Sequence, residues 1–212
     1  MGIKNLMTFI RSRKLDETAL KKVSSSVFFD RTVGLDVAIL LYQSLAVSES
    51  DCAHLQFLAN RAAFFYQLGA TPVFIFDGKH PQEKEAEESC RRERRQKVQE
   101  QLENAQQLPR SEPQDQELMD KVEKLKRQCI HVTSKHISES FEFLTALGIP
   151  VIEAPGEAEK CLATLQATQK LHLAVSEDTD TLVSGARRWI RCFGDLNNPR
   201  LPPLERMATE VR

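Results

Sequence analysis

Four short, almost unbroken apolar runs constrain this chain more than any other feature: "TVGLDVA" from Thr32, "TPVFIFDG" from Thr71, "IPVIEAP" from Ile149 and "LHLAVSED" from Leu171. A strand with one wet face alternates apolar and polar residues, whereas a run that is apolar throughout has both faces covered. Between the runs lie helical patterns. "AILLYQSL" starts at Ala38, "HLQFLANRAAFFYQLG" is stopped by Gly69, "SESFEFLTALG" is stopped by Gly148, and "GEAEKCLATLQATQ" is opened by Pro155. Strand and helix alternate, which predicts an α/β fold with a mostly parallel twisted sheet flanked by helices. With 212 residues, 41% of them hydrophobic, the chain can bury one sizeable core, so one domain over 1–212 is expected. "RRWIRCF", from Arg187, is expected as an edge strand.

One stretch breaks the pattern. From Glu83 to about Lys135 large apolar residues are few and charges many, with a break at "QQLPRSEPQDQE". This predicts two polar helices projecting from the core and joined by a flexible tip. His131 and His136 are expected to face solvent there.

Composition excludes several classes. No apolar run approaches the roughly 20 residues of a membrane helix, and the start "MGIKNLMTFIRSRKL" has no signal-peptide core. Leu6 stands where N-myristoylation needs Ser or Thr. The five cysteines are scattered without a CxxC pair, which argues for reduced thiols inside a cell and against a zinc or disulfide framework. A net charge of -1 conceals an acidic centre and a basic rim.

The acidic centre is written at the ends of the apolar runs. Asp36 follows "VGL", Asp77 follows "VFIF", Glu157 and Glu159 follow "VIEAP", and Asp178 and Asp180 follow "LAVS". Ligands of open α/β sheets bind outside the carboxyl ends of the strands, so these acids are expected to converge. Converging carboxylates need cations, or else strongly raised pKa values, and an all-oxygen set suits Mg2+ or Mn2+. Read alone, each acid has a plainer role. Asp36 or Asp180 serves equally as an N-cap, "DG" at Asp77 as a turn, and Glu157 and Glu159 as partners of a helix dipole. Residues two apart point about 200° apart on a helix, so both Glu reach one site only if the helix start faces it end-on. Recurrence at four successive strand ends favours the shared site.

The basic rim is in the insertion. "KEAEESCRRERRQK" places Lys84, Arg91, Arg92, Arg94, Arg95 and Lys97 close together, with Lys84 and Arg91 on one helix face. Such a run is either a solvated helix laced with Glu–Arg pairs or a phosphate-binding surface. Beside a polyacidic centre the second reading is preferred.

These residues together carry a resemblance. "MGIKNL", "VGLDVAILLYQ", "VFIFDGKHPQEK", "GIPVIEAPGEAEKCLATL" and "SEDTDTLVSG" resemble, in order, the motifs of the flap endonuclease family of structure-specific 5′ nucleases. The resemblance implies a PIN-like nuclease core with a helical arch over about 83–135, and a two-metal phosphodiesterase using Mg2+, with Mn2+ as substitute. Asp36, Asp77, Glu157, Glu159, Asp178 and Asp180 would be the ligands, holding two ions about 4 Å apart at the scissile phosphate. It implies that Lys84 and Arg91 act on that phosphate, that Arg61 contacts another, that Tyr42 stacks on a base, and that Gly2 approaches the branch point. Core packing is the plainer role for Tyr42.

Two features of the family have no match in these 212 residues: a seventh acid in a Gly-Ser-Asp-Tyr segment, and a helix-two-turn-helix that grips duplex DNA. Weak metal and DNA binding and poor cleavage are therefore expected of this chain, and Asp195 and Glu205 are the first alternatives for a seventh ligand. The expected function is Mg2+-dependent cleavage of branched or 5′-ended DNA in replication or repair. Its alternatives are a weakly active nucleic-acid-binding domain or an RNA-cleaving relative. No sliding-clamp motif is visible, and an intracellular, nuclear location is expected from DNA work.

Overall fold

The computed structural model describes residues 3, 5–13, 20–47, 50–78, 85–107, 115–191 and 208–211. Strands β1 (Leu20–Val23), β2 (Thr32–Asp36), β3 (Thr71–Phe76), β4 (Val151–Glu153), β5 (Leu173–Val175), β6 (Trp189–Arg191) and β7 (Ala208–Val211) form one sheet. Their order is β1-β7-β6-β5-β2-β3-β4. The five strands β6, β5, β2, β3 and β4 are parallel, while β7 runs antiparallel to both β6 and β1.

The helices are α1 (Leu6–Ser12), α2 (Val37–Val47), α3 (Ala53–Gln67), α4 (Glu85–Gln107), α5 (Asp115–Cys129), α6 (Ser134–Ala146), α7 (Ala158–Ala167) and the short α8 (Asp180–Val183). Gly69 and Gly148 follow α3 and α6 at φ of +71° and +70°, the left-handed conformation that ends a helix without a Cβ penalty.

Period-two geometry explains why the apolar runs are continuous. Val33, Leu35, Phe74 and Phe76 face one core with Leu41, Leu58, Phe65 and Leu144 from α2, α3 and α6. Val73, Ile75 and Ala174 face the other with Leu162 and Ala163 from α7. Both faces of β2, β3 and β5 are therefore dry. The helices change face because the chain steps outward from β2 through β3 to β4, then returns past β2 to lay β5 on its other side. Right-handed crossovers place helices on opposite faces for the two directions. The reversal puts the topological switch point between β2 and β5, and open α/β sheets bind ligands outside the carboxyl ends of the strands at such a point.

Two expectations are corrected. "RRWIRCF" does not make an edge: β6 is covered by β7, and Trp189 is fully buried. His136 is not on a polar surface helix. It is the third residue of α6, half-buried, in a capping box with Thr133, and its ring lies 5.0 Å from that of buried His54.

Helices α4 and α5 share a small apolar cluster of Leu102, Ala105 and Leu125, flanked by Val98, Val122 and Cys129. Of the expected break at 106–117, residues 108–114 lie outside the described residues while the helices reach Gln107 and resume at Asp115; Asp195 and Glu205 also lie outside. Among the described residues no helix is long and apolar enough to cross a membrane.

Candidate active site

Carboxylates at three of the strand ends accept backbone N–H groups. Asp36 ends β2, and its Oδ1 accepts the Ala38 N–H at 3.0 Å, capping α2. Asp77 follows β3, and its Oδ1 accepts the Ala158 N–H at 2.8 Å, capping α7 from another strand. Asp178 follows β5, and its Oδ1 accepts the Asp180 N–H at 3.0 Å, at the start of α8. The capping role and the shared site are thus not alternatives. A carboxylate oxygen has two lone pairs, so each cap leaves acceptor capacity over.

The two glutamates lie together at a helix start. Glu157 is the N-cap position of α7 and Glu159 lies in its first turn. The Asp77 cap holds that helix start beside the end of β3. The loops after β3 and β4 are stitched further by Gly78 N–H to Gly156 O at 2.8 Å and Ala154 N–H to Phe76 O at 2.9 Å. A Cβ on Gly78 would stand 1.9 Å from the Ala154 carbonyl oxygen, so only glycine permits this approach.

Electrostatics register the convergence. Burial, then Glu159, then Asp77, push the Asp36 carboxyl up to about 8. Glu159 is also raised, by burial first and then by Asp77, Asp178 and Glu157. Acids from all four strand ends therefore share one field. Asp180 opens α8, half-buried, with its amide bonded to Asp178. Glu177, left out of the expected ligand set, lies 3.7 Å from Arg191.

The donor chemistry fits a hard divalent cation: every candidate is a carboxylate, and Asp36 is held away from water against like charges. The arrangement is open. Among the described residues no three His, Cys, Asp or Glu side chains are already set around a point that could hold an ion.

Of the expected nucleic-acid contacts, Arg92 and Arg94 are exposed on α4 and Arg95 is half-exposed beside them. Tyr42 is half-buried on α2, and Arg61 on α3 stacks its guanidinium 5.1 Å from the Phe57 ring centre. Gly2 and Lys84 lie outside the described residues, and Arg91 is in α4 with its side chain outside them.

Sequence reasoning missed two residues here. Lys160 lies 2.8 Å from Glu157, a pairing that the three-residue spacing on α7 could have signalled. Ser176, between the apolar run and the acids, is buried, and its Oγ donates to Asp36 Oδ2 at 3.3 Å while accepting the Asp178 N–H at 3.0 Å.

Comparison with known proteins gives this doubly wound sheet, with its carboxylates at the strand ends, a family. The XPG N-terminal domain family matches residues 1–98 and the XPG I-region family residues 148–211. The chain belongs to the XPG/FEN1 structure-specific nuclease family. It is 32% identical over 223 residues to flap endonuclease 1-B of Oryza sativa subsp. indica, covering 100% of this chain and 52% of that protein. It is 36% identical over 160 residues to flap endonuclease 1-B of Sorghum bicolor, covering 76% of this chain and 36% of the relative. The chain thus spans about half the length, or less, of these relatives. Among solved structures, the Rad2 catalytic core in complex with DNA substrate superposes with a TM-score of 0.61 at 22% identity, over 96% of this chain and 53% of that one. Human GEN1 in complex with Holliday junction DNA superposes with a TM-score of 0.63 at 17% identity, over 99% and 44%. These two support the fold. A further GEN1 structure is in complex with product DNA, Mg2+ and Mn2+ ions.

Proposed function

We propose that this chain is the core of a Mg2+-dependent, structure-specific 5′ nuclease that hydrolyses phosphodiester bonds in branched or 5′-ended DNA. One observation carries the reading: acids from four strand ends share one field at the switch point, where burial, then Glu159, then Asp77 push the Asp36 carboxyl up to about 8. A cation-free role for so costly an arrangement is hard to find.

Asp36, Asp77, Glu157, Glu159, Asp178 and Asp180 would hold two Mg2+ ions, or Mn2+ in their place. When bound, the ions supply Lewis acidity at the phosphate and charge neutralisation for the leaving oxygen. The protein's own contribution is orientation. The three backbone caps fix the Asp36, Asp77 and Asp178 carboxylates before substrate arrives. Lys84 and Arg91, carried over from the family motif, would donate to the scissile phosphate. Arg92, Arg94 and Arg95 supply positive charge for the backbone, Arg61 a phosphate contact, Tyr42 a stacking face, and Gly2 a close approach of the chain to the branch. The relatives named as flap endonucleases, and the DNA in the Rad2 and GEN1 complexes, support DNA as substrate.

A second reading, a nucleic-acid-binding domain of low activity, is favoured by the open arrangement of the acids among the described residues. The 212-residue chain, assayed on labelled 5′-flap and blunt DNA duplexes and on RNA with and without Mg2+, separates the two. Metal-dependent cleavage of the flap supports the nuclease; binding without cleavage, with or without Mg2+, supports the second reading.

A further inference from the structure

We propose that Ser176 is a positioning residue that couples the two halves of the acidic centre across the sheet's switch point; the inference rests on the metal reading of that centre. Ser176 follows β5 directly, and the register that pairs Val175 with Leu35 brings it alongside Asp36, 140 residues away in sequence. It is 5% exposed, so its polar atoms find partners within the protein.

Those partners lie on both sides. Toward β6, the Ser176 N–H donates to the Ile190 carbonyl at 3.3 Å, and the Ser176 carbonyl accepts the Trp189 indole N–H at 2.8 Å. The backbone of the residue is therefore fixed by the neighbouring strand. Toward β2, its hydroxyl donates to Asp36 Oδ2 at 3.3 Å and accepts the Asp178 N–H at 3.0 Å. A hydroxyl has one proton and two lone pairs, so it serves both at once.

The result is a continuous relay of hydrogen bonds. Ala38 holds one oxygen of Asp36 and Ser176 the other, which fixes the plane of that carboxylate. Ser176 also holds the Asp178 amide, and Asp178 holds the Asp180 amide. Ligands from β2 and from the loop after β5 thus have their relative positions set by one side-chain oxygen. Neighbours that orient metal-ligating groups typically change affinity by about 10- to 100-fold when removed.

The test is Mn2+ titration by calorimetry of the wild-type 212-residue chain, Ser176→Ala and Ser176→Thr, with urea unfolding of each without metal. The expected result is a loss of about 10- to 100-fold in Mn2+ affinity for Ser176→Ala, measured on folded protein. Ser176→Thr, which restores the oxygen, recovers the affinity. Equal affinity in wild type and Ser176→Ala, with only the urea midpoint lowered, overturns the positioning role and leaves the metal reading standing. No Mn2+ binding by wild type overturns both. Should the Thr methyl prevent folding, the Ala variant decides alone.

Discussion

The Asp77 carboxylate accepts the Ala158 amide across 81 residues of chain, so a side chain at the end of β3 caps a helix that begins after β4. The bond makes one acid both a structural clip and a candidate ligand. Its two roles separate by substitution. Asp77→Ala removes the acceptor and is expected to cost about 0.5–2 kcal/mol, the usual value of a lost helix cap. Asp77→Asn keeps an acceptor oxygen and stays near wild-type stability, yet loses Mn2+ affinity as the Ala variant does. Urea unfolding and calorimetry of both variants measure the split.

Asp178 caps the start of α8, so Asp178→Asn also retains its hydrogen bond to the Asp180 amide. Any Mg2+-dependent cleavage is expected to fall by at least about 10²-fold, because loss of a ligand misplaces the reacting groups. Circular dichroism and the urea midpoint remain close to wild type. An active variant on a 5′-flap substrate would remove Asp178 from the ligand set.

Gly78 fails differently. Its added Cβ meets the Ala154 carbonyl oxygen, which belongs to backbone and cannot rotate away. Gly78→Ala is expected to destabilise the fold by about 1–3 kcal/mol, the range for overpacking a tight site. It should also weaken Mn2+ binding, since the loop that shifts carries Asp77. An unchanged urea midpoint would show that the two loops part at no cost.

His54 sets a pH dependence. Burial and then neighbouring His136 lower its pKa below the ordinary 6.5, outweighing the Glu139 carboxylate 3.4 Å from its Nε2. In the unfolded chain His54 binds a proton more readily than in the folded one. Its contribution to stability is therefore full above about pH 6.5 and is lost as pH falls through the depressed value. Urea unfolding between about pH 5 and 8, the range in which histidine titrates, should show a shallower acid-side decline for His54→Gln than for wild type. Parallel curves would assign the decline to other groups.

Arg92 and Arg94 are exposed, so replacing both with Gln should leave the thermal midpoint unchanged. DNA binding should weaken to a similar degree for all sequences, and the dependence of log affinity on log salt should flatten by about one unit for each phosphate that is no longer neutralised. Fluorescence anisotropy at several salt concentrations reads both. An unchanged slope would return these arginines to the solvated face of α4.

The parallel sheet was legible because β2, β3 and β5 are buried on both faces and cannot carry polar residues in their interiors. The convergence of acids was expected from where those strands end. Strands β1, "LKKV", and β7, "ATEV", were not legible. Each is short, and charged residues interrupt the apolar signal. Without them β6 looks like an edge, although the bulk of Trp189 hints otherwise. His136 is misleading in sequence because the capping box of α6 uses histidine where glutamate or glutamine is usual, so only Thr133 marks the helix start. Ser176 escapes notice for a related reason. A serine between a strand and an acidic turn reads as loop chemistry, and only the register with β2 reveals what its hydroxyl meets.

Trp189 is the only tryptophan in the chain, and its indole N–H is bonded to the carbonyl of the residue that leads into Asp178 and Asp180. The protein therefore carries a single indole fluorophore wired to the loop of its acidic centre. Emission excited selectively from indole comes from that one place. Paramagnetic Mn2+ bound by these acids would darken it while diamagnetic Mg2+ would not, so occupancy of the centre becomes visible as light without label or substrate.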